Sequence, residues 1–285
     1  MSITQKYSNY LVEINGIYHS AQSISVSYPE EGNDRNYLLE EDSYWYAHRG
    51  RCLTAFIKQF DEARDFLDIG GGNGVMCEYL QKEGISTILV EPGRVEAQNA
   101  RTRGIHQVIC AYIDHVGFKA SSLPSIGLFD LLENIENDAE FLGKLNFYLE
   151  DEGMLYLSVP AYQTLFSGID QCADHFKRYT LGRLKRLLAE KGFTTLYSTY
   201  LFSLLPLPIF LIRTLPHWLG KKTSLSYVKK QSHLVHKKRG SSSAIMQRNL
   251  NWEFHKVSKG RKILFGSSCM VVAKKTSSHN PGMKR

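Results

Sequence analysis

Short apolar runs alternate with helical stretches along most of the chain. The runs have the length of β-strands and lie at residues 66–69, 85–90, 107–111, 125–129, 154–159 and 193–199. Helical stretches lie between them, for example at 75–83 and 137–149. Strands that alternate with helices predict a parallel sheet with helices on both faces. One more strand is predicted near the end of the chain, within residues 263–275.

The alternation stops between residues 200 and 262. Residues 201–212 are nearly all apolar, but this run is shorter than the ~20 residues of a membrane-spanning helix, and Pro206 and Pro208 interrupt it. A buried or interfacial segment is therefore predicted there. The chain is expected to comprise an N-terminal cap segment (1–60), a main domain (61–199 with 263–275), a basic insertion (200–262) and a flexible tail (276–285).

The composition is that of an ordinary globular protein. Of the 285 residues, 43% are hydrophobic and 22% are charged, which excludes a disordered chain, a coiled coil and a collagen-like repeat. The five cysteines are dispersed and form no Cys-x-x-Cys pair, which argues against a disulfide scaffold or a zinc ribbon. Together with an N-terminus that has no secretory signal pattern, they predict a reducing, cytoplasmic compartment.

The net charge of +7 conceals two regions of opposite sign. Residues 213–285 contain 17 Lys and Arg residues but a single acid, Glu253, whereas residues 1–212 contain 18 basic and 27 acidic residues. A strongly basic region favours a polyanionic neighbour, such as a membrane surface, a phosphorylated substrate or nucleic acid. The apolar run and the basic residues after it predict that 201–239 contacts an anionic membrane surface or a lipid-linked acceptor. The alternative is an inner helix followed by lysines that face water.

The sharpest local pattern is the sequence DIGGGNG, which begins at Asp68. An apolar strand ends at an acid, and Gly70, Gly72 and Gly74 then let the backbone turn tightly and let a ligand approach closely. The spacing fits neither the Gly-x-Gly-x-x-Gly dinucleotide pattern nor a phosphate-binding loop. Glu91 lies 23 residues after Asp68, at the end of the next apolar run, where an acid can accept both hydroxyl groups of a ribose.

With these residues, the chain resembles the class I S-adenosylmethionine-dependent methyltransferases, from about residue 37 to 200 and again at the last strand. The resemblance is carried by DIGGGNG, by the VEPG that contains Glu91 and by the segment GLFDLLENIENDAEFL. A subgroup of small bacterial methyltransferases is more similar still, on the segments EDSYWYAHR, SVPAY and DQCADHFKRYT. The family implies an α/β, doubly wound, Rossmann-like fold with a seven-stranded, mostly parallel sheet whose seventh strand, within 263–275, is antiparallel.

The resemblance also implies which residues bind the cofactor, S-adenosyl-L-methionine. Asp68 would hold its ammonium group, and Glu91 would accept the ribose hydroxyls. The backbone would pass against the methionine moiety at three glycines, Gly70, Gly72 and Gly74. The adenine pocket would form near Tyr112 and Asp114, although commoner members place an acid immediately after the third strand. Where relatives have Leu-Glu-His-Ile, this chain has Asn134 in place of the histidine, and an amide cannot act as a base.

A polar cluster after the fifth strand is expected to face the acceptor substrate. It contains His175, Arg178 and Tyr179, with Tyr162 beside them, at the end of the sheet where open α/β folds bind ligands. His175 is the one member that titrates near neutral pH, so it is the candidate general base. The alternative is that His175 and Arg178 are surface groups of the following helix. No metal site is expected, because Cys172 and His175 lack a second pair of ligands.

These observations favour a methyltransferase that acts on a small-molecule, glycan or lipid-linked acceptor. A nucleic-acid acceptor is not expected, since the chain lacks the Asn-Pro-Pro-aromatic and Asp-Pro-Pro-Tyr motifs of base-amino methylases after the fourth strand. The alternative is a catalytically silent protein that keeps the fold as a cofactor-binding module. The intact glycine loop favours the enzyme. Its expected location is cytoplasmic, including a peripheral position on the inner face of the membrane.

Overall fold

The computed structural model describes residues 6–8, 10–20, 40, 43–60, 65–221 and 244–276. The apolar run at 201–212 and the last predicted strand lie within these ranges. Of the basic residues predicted to meet a membrane, those from 222 to 239 lie outside the described residues. The predicted tail beyond 276 and the acidic pair Glu41 and Asp42 lie outside them as well.

Nine strands form one sheet in the described part of the chain. They are β1 (Leu11–Ile14), β2 (Ile17–Ser20), β3 (Phe66–Ile69), β4 (Thr87–Val90), β5 (Val108–Cys110), β6 (Leu123–Phe129), β7 (Leu149–Pro160), β8 (Phe193–Leu201) and β9 (Ser268–Lys275). Their order is β1-β2-β5-β4-β3-β6-β7-β9-β8. Neighbouring strands are parallel from β2 across to β7, and β9 is antiparallel to β7 and β8. This topology confirms the doubly wound, mostly parallel fold and its antiparallel last strand.

Two strands of this sheet go beyond the seven that the family implies. β1 and β2 form a hairpin whose turn is Asn15-Gly16, with φ of 52° and 78°. A two-residue hairpin turn of this kind needs positive φ at both positions, which Asn and Gly tolerate best. β2 pairs in parallel with β5, so this part of the N-terminal segment extends the sheet at one edge.

Helices cover both faces of the sheet, as the alternating pattern predicted. They are α1 (Tyr44–Phe60), α2 (Val75–Lys82), α3 (Arg94–Thr102), α4 (Ile113–Val116), α5 (Asp138–Tyr148), α6 (Gly168–Cys172), α7 (Leu181–Glu190), α8 (Pro206–Ile209), α9 (Leu215–Trp218) and α10 (Ala244–Ser258). Leu142 of α5 and Leu188 of α7 are buried in one core, and Phe56 of α1 and Val257 of α10 are buried in another. Strands that are buried on both faces consist mainly of consecutive apolar residues. For this reason the sequence alone predicted β3 and β4, whose residues are all buried.

The insertion after β8 begins with a continuous helical segment over residues 206–218, called here the 206–218 segment. It consists of α8, a π-helical turn (Phe210–Thr214) and α9. Leu207, Leu211 and Trp218 lie on its outer surface and are 65%, 50% and 58% exposed. Thr214 is buried on the opposite side of the segment. Its hydroxyl donates a hydrogen bond to the Leu165 carbonyl at 3.0 Å, which attaches the segment to the loop after β7. None of the helices in the described ranges is long and apolar enough to cross a membrane.

A buried polar contact fixes the second half of the insertion to the N-terminal helix. His48 of α1 lies with Nε2 3.0 Å from Oε2 of Glu253 in α10. The Glu253 carboxylate also accepts hydrogen bonds from the backbone N–H groups of Phe202 and Ser203, at 2.9 and 2.6 Å. Glu253 is the one acid of the basic C-terminal region, and its role in the described structure is to join α1, α10 and the end of β8.

Candidate active site

The glycine loop connects β3 to α2 at the carboxyl edge of the sheet. Gly70, Gly72 and Gly74 all have positive φ, at 69°, 56° and 77°, a conformation that is costly for other residues. The Gly70 N–H donates to the Val90 carbonyl at 2.8 Å, which ties the start of the loop to the end of β4. The sequence thus supplies glycine at the positions where the backbone turns against the neighbouring strand.

Asp68 lies in β3 directly below this loop and is fully buried. Its Oδ1 has no hydrogen-bond partner among the described residues, and its Oδ2 lies 3.7 Å from the Cys77 thiol. Burial raises the pKa of Asp68 to about 7, because the ionised carboxylate loses its hydration. A buried carboxylate with an unused oxygen can accept a hydrogen bond from a cationic group of a ligand.

Glu91 follows β4 and lies beside the glycine loop. Its Oε2 accepts a hydrogen bond from the Gly72 N–H at 2.9 Å, and its Oε1 accepts one from the Gly93 N–H at 2.8 Å. Burial raises the pKa of Glu91 to about 7, although these two hydrogen bonds act in the opposite direction. Each carboxylate oxygen has a second lone pair, so Glu91 can still accept hydrogen bonds from two hydroxyl groups.

A cavity of about 170 Å³ lies between the glycine loop and the N-terminal helix. Asp68, Gly70, Gly71 and Gly72 form one side of it, whereas Gly74 and Glu91 lie outside its lining. The other side includes three residues of the N-terminal segment, Glu40, Tyr46 and Arg49, and it ends at Asp130 after β6. Arg49 is buried, and its Nε has no hydrogen-bond partner among the described residues. The cavity therefore offers a carboxylate and a guanidinium on facing elements, which suits an amino acid moiety.

Tyr112 and Asp114 follow β5, at the same edge of the sheet. The side chain of Tyr112 is 47% exposed, and its ring packs edge-on against His115. Asp114 forms an ion pair with Lys144 at 2.7 Å. Neither residue lines the 170 Å³ cavity, so their part in binding an adenine ring stays a prediction.

A second cavity, of about 420 Å³, adjoins the first and is called here the acceptor cavity. The two cavities share Tyr46 and Asp130 in their walls. The acceptor cavity is lined by residues of α1, of the loops after β6 and β7, of α6 and of the 206–218 segment, among them Trp45, Glu133, Ile169, His175, Arg178, Leu205, Pro208, Ile209, Ile212 and Arg213. A molecule bound in it would lie next to a ligand of the glycine loop.

Asp170 of α6 positions two of the residues singled out in the sequence. Its Oδ1 accepts a hydrogen bond from Arg178 Nε at 2.7 Å and lies 3.2 Å from His175 Nδ1. Burial acts to raise the pKa of Asp170, but the hydrogen bonds from His175 and Arg178 outweigh it and hold the pKa below its usual range. Ser167 completes the arrangement through the capping box of α6. His175 and Arg178 line the acceptor cavity, and their contact with an acceptor substrate stays a prediction.

Tyr179 and Tyr162 are placed differently from the sequence prediction. Tyr179 is fully buried in the core, and its hydroxyl donates to Asp138 Oδ2 at 2.8 Å instead of lining the acceptor cavity. Tyr179 pairs in a β-bridge with Ala161, and successive residues of an extended chain point in opposite directions. Arg178 therefore faces the cavity while Tyr179 faces the core. Tyr162 stacks on Tyr200, with ring centroids 5.2 Å apart, and also lies outside the cavity lining.

Glu133 is a residue of the acceptor cavity that the sequence reasoning missed. It lies in the short 3-10 turn Leu132–Asn134 after β6 and is fully buried. Neither of its carboxylate oxygens has a hydrogen-bond partner on another described residue. Burial and the nearby Asp130 carboxylate raise its pKa well above the usual range. The neighbouring Asn134, which drew attention in the sequence, is exposed.

Comparisons with known proteins agree with this geometry. A family model described as a methyltransferase domain matches residues 44–198, more than half of the chain, so the chain belongs to this methyltransferase family. It is a class I S-adenosylmethionine-dependent methyltransferase, as the glycine loop and Glu91 predicted. No curated protein matches the chain.

Solved structures with this fold include proteins of different activity. The plantazolicin methyltransferase BpumL, in complex with SAH, is 17% identical with a TM-score of 0.53, over 87% of this chain and 91% of that one. YcgJ from Bacillus subtilis is 13% identical with a TM-score of 0.50, over 80% and 99%. The [4+2]-cyclase SpnF is 15% identical with a TM-score of 0.52, over 83% and 85%. At these identities the likeness shows the fold.

The residues around the smaller cavity fit S-adenosylmethionine. The free Oδ1 of Asp68 suits the ammonium group, and Glu91 suits the ribose hydroxyls. A Cβ built at Gly72 would have no protein atom within 4 Å, so the absence of a side chain there leaves room for a ligand. When bound, the cofactor supplies a methyl group on a positively charged sulfur. Asp68 and Asp130 line this cavity with carboxyl groups, which suits that charge.

Proposed function

We propose that this methyltransferase acts on a small-molecule, glycan or lipid-linked acceptor that binds in the acceptor cavity. The observation that carries the proposal is the shared wall of the two cavities at Tyr46 and Asp130. Methyl transfer depends mainly on the alignment of nucleophile, methyl carbon and sulfur, so an acceptor must lie next to the cofactor. Residues of α1 and the loop after β6 would then contact both molecules.

His175 is the proposed general base of this reaction. Its Nδ1 faces Asp170, which leaves Nε2 for the acceptor. A carboxylate partner of this kind fixes the orientation of an imidazole and stabilises its protonated form. The acceptor would lose a proton to Nε2 as its nucleophilic atom forms the new bond to the methyl carbon. The electron pair of the broken carbon–sulfur bond would stay on sulfur.

The 206–218 segment supports a membrane surface as the place of this reaction. Ile209 and Ile212 of this segment line the acceptor cavity, while Leu207, Leu211 and Trp218 are exposed, and Ile212 is itself 51% exposed. Seven Lys and Arg residues and no acid follow between 221 and 239. A tryptophan beside an apolar surface and a basic stretch suits the interface of an anionic bilayer. An acceptor held in that bilayer could enter the cavity beneath the segment.

Methyl transfer can be tested on natural extracts before the acceptor is known. The purified protein is incubated with tritium-labelled methyl donor and with separate lipid and polar extracts of the cells that produce it. Label in one organic-soluble product supports a lipid-linked acceptor. Label in the polar extract alone would replace it with a soluble small molecule or glycan. An absence of label in both extracts, with cofactor binding intact, would contradict an acceptor of any of these classes.

Membrane contact can be tested separately by co-sedimentation with vesicles of phosphatidylglycerol. We expect binding that weakens with added salt and falls at least fivefold when Leu207, Leu211 and Trp218 are changed to Gln. Phe147→Gln is the matched control, because Phe147 is 60% exposed on α5, away from the segment. Changing Lys221, Lys222, Lys229 and Lys230 to Gln should weaken the binding and reduce its salt dependence, because four of the seven basic residues lose their charge. No binding of the wild type at low salt would end this part of the proposal.

A further inference from the structure

Glu133 has an unusual position in the acceptor cavity. It is fully buried, it lines the cavity, and neither carboxylate oxygen is bonded to another described residue. A buried polar group without a partner is costly, so natural proteins keep one chiefly where a ligand or water completes it. Asp130 is another carboxylate in the wall of this cavity, and it already forms an ion pair with Arg49.

The other charged groups near Glu133 have partners on the protein. Arg178 donates to Asp170, which also faces His175, and Arg49 donates to Asp130. These contacts join residues of the protein to each other, whereas neither oxygen of the Glu133 carboxylate has a hydrogen-bond partner on another described residue. The acceptor cavity therefore has a fixed site for a hydrogen-bond donor at Glu133.

The wall contributed by the insertion has the opposite character. Leu205, Pro208, Ile209 and Ile212 line the cavity along one side, from the 206–218 segment and the residue before it, and Arg213 is the charged residue of this wall. The floor at the carboxyl edge of the sheet carries Glu133, His175 and Arg178. A ligand that fills both parts needs a polar end and an apolar arm.

We propose that the methyl acceptor is amphipathic, with an amino or hydroxyl group that donates a hydrogen bond to Glu133 and an apolar arm along the 206–218 segment. This rests on the proposed acceptor cavity and names the class of molecule that it takes. A carboxylate or phosphate head group would place a further negative charge beside Glu133 and Asp130, which disfavours it at that position.

The electrostatics of the site agree with this assignment. Burial and Asp130 raise the pKa of Glu133, whereas Arg49 and Arg178 act to lower it. A protonated amine bound beside the carboxyl favours its ionised form, and a hydroxyl group can donate to it as well. Both bound states replace an unbonded buried carboxyl with a hydrogen-bonded one.

The proposal is tested with octylamine and octanoate as probes, which share an apolar arm and differ in the head group. Their affinities for the full-length protein are measured by calorimetry in the presence of saturating S-adenosylhomocysteine. We expect octylamine to bind at least tenfold more tightly than octanoate. Glu133→Gln should reduce the octylamine affinity at least tenfold and bring the two probes close together. Glu136→Gln is the control, since Glu136 is exposed two residues beyond Asn134.

A second variant tests the apolar arm. Ile209→Asn should weaken both probes by a similar factor, because it changes the shared alkyl contact and leaves the head group's partner in place. Equal or tighter binding of octanoate to the wild type would overturn the proposal whether or not a variant folds. Binding of neither probe would do the same. The proposed methyl transfer is tested independently of these probes, by S-adenosylhomocysteine binding and by transfer of the labelled methyl group, so failure of one proposal can be told from failure of the other.

Discussion

Arg49 of α1 and Asp130, the residue after β6, form an ion pair beside the wall that the 170 Å³ cavity shares with the acceptor cavity. Asp130 has a φ of 57°, and its other oxygen accepts a hydrogen bond from Ser158 at 3.0 Å. The Arg49 guanidinium also lies over the ring of Trp45, 4.5 Å from its centroid. The N-terminal helix is thereby fixed to the edge of the sheet at the point where both ligands would lie.

Breaking this pair is expected to affect stability and cofactor binding together. Arg49→Met and Asp130→Asn should each cost about 2 kcal/mol of unfolding free energy, less than a fully buried pair because the Asp130 side chain is 25% exposed. The double variant should cost less than the sum, with a coupling of about 1 kcal/mol in urea unfolding. Strictly additive effects would show that the pair does not join the two elements.

The pKa of Asp68 predicts that cofactor binding depends on pH. The ammonium group of S-adenosylhomocysteine favours an ionised Asp68, whose pKa is about 7 in the free protein. Affinity should therefore be highest above pH 7 and should fall as the pH drops through 7. Asp68→Asn should bind weakly at every pH, and the smaller pH dependence that remains should come from Glu91, whose pKa is also about 7. An affinity for the wild type that does not change between pH 6 and 8 would contradict the ammonium contact.

The raised pKa of Asp68 has the opposite consequence for the stability of the unliganded protein, which should fall as the pH rises. The pKa of Asp68 is raised on folding from 3.8, so its protonated form stabilises the fold at low pH, and this stabilisation is lost as the pH rises towards 7. Asp68→Asn removes the buried charge. At pH 8 the variant should melt at a higher temperature than the wild type in the absence of ligand. A lower melting temperature would show that Asp68 supports the fold.

The glycines of the loop should respond differently to alanine. Gly72 and Gly74 both have positive φ, but a Cβ at Gly74 would lie 3.0 Å from Ala100 and Ile105, whereas one at Gly72 meets no protein atom within 4 Å. Gly72→Ala should fold with a loss of about 1–2 kcal/mol and bind S-adenosylhomocysteine at least tenfold more weakly, and Gly72→Val should not bind. Gly74→Ala should lose more stability.

Gly84→Ala is the control for the backbone cost at Gly72. Gly84 has a φ of 80°, and a Cβ at this position would also meet no protein atom within 4 Å. Unlike Gly72, Gly84 does not line the 170 Å³ cavity. The variant should lose the same stability as Gly72→Ala and keep full affinity. Equal affinity in both variants, measured by calorimetry, would show that the ligand does not approach Gly72.

His175 should matter for turnover more than for cofactor binding. His175→Ala is expected to slow methyl transfer to the labelled acceptor by about 100-fold or more, the usual contribution of a general base. Its affinity for S-adenosylhomocysteine should not change, because His175 lines the acceptor cavity and does not line the 170 Å³ cavity. Gln171→Ala, at an exposed position of α6, is the control. Full turnover of His175→Ala from pH 6 to 9 would assign His175 a structural role.

Most of the sheet could be predicted because its strands are buried on both faces. β3 coincides with the predicted run at 66–69, and β9 lies within 263–275. The hairpin of β1 and β2 was missed, since its strands are short and β1 is mostly exposed, so no apolar run marks it. The Asn15-Gly16 pair was the available signal, because these residues favour the positive φ of a hairpin turn.

The sequence could predict those residues of the candidate site whose positions follow from their spacing relative to neighbouring strands. Asp68 and Glu91 end neighbouring parallel strands, and the order of strands and glycines is readable along the chain. The cavity walls depend on which side of the backbone each residue faces. Arg178 and Tyr179 are adjacent in sequence and face opposite sides, and Glu133 lines the acceptor cavity together with residues of the 206–218 segment, which is far from it in the sequence.

The central claim is that Asp68, the glycines and Glu91 together hold the methyl donor, and Glu91→Ala tests it most directly. Hydrogen bonds to a charged group contribute about 1.5–3 kcal/mol each, so loss of the carboxylate should weaken S-adenosylhomocysteine binding at least tenfold in calorimetry. Circular dichroism should show an intact fold, and Glu83→Ala, at an exposed position, should bind like the wild type. A folded Glu91→Ala protein with unchanged affinity would contradict the account.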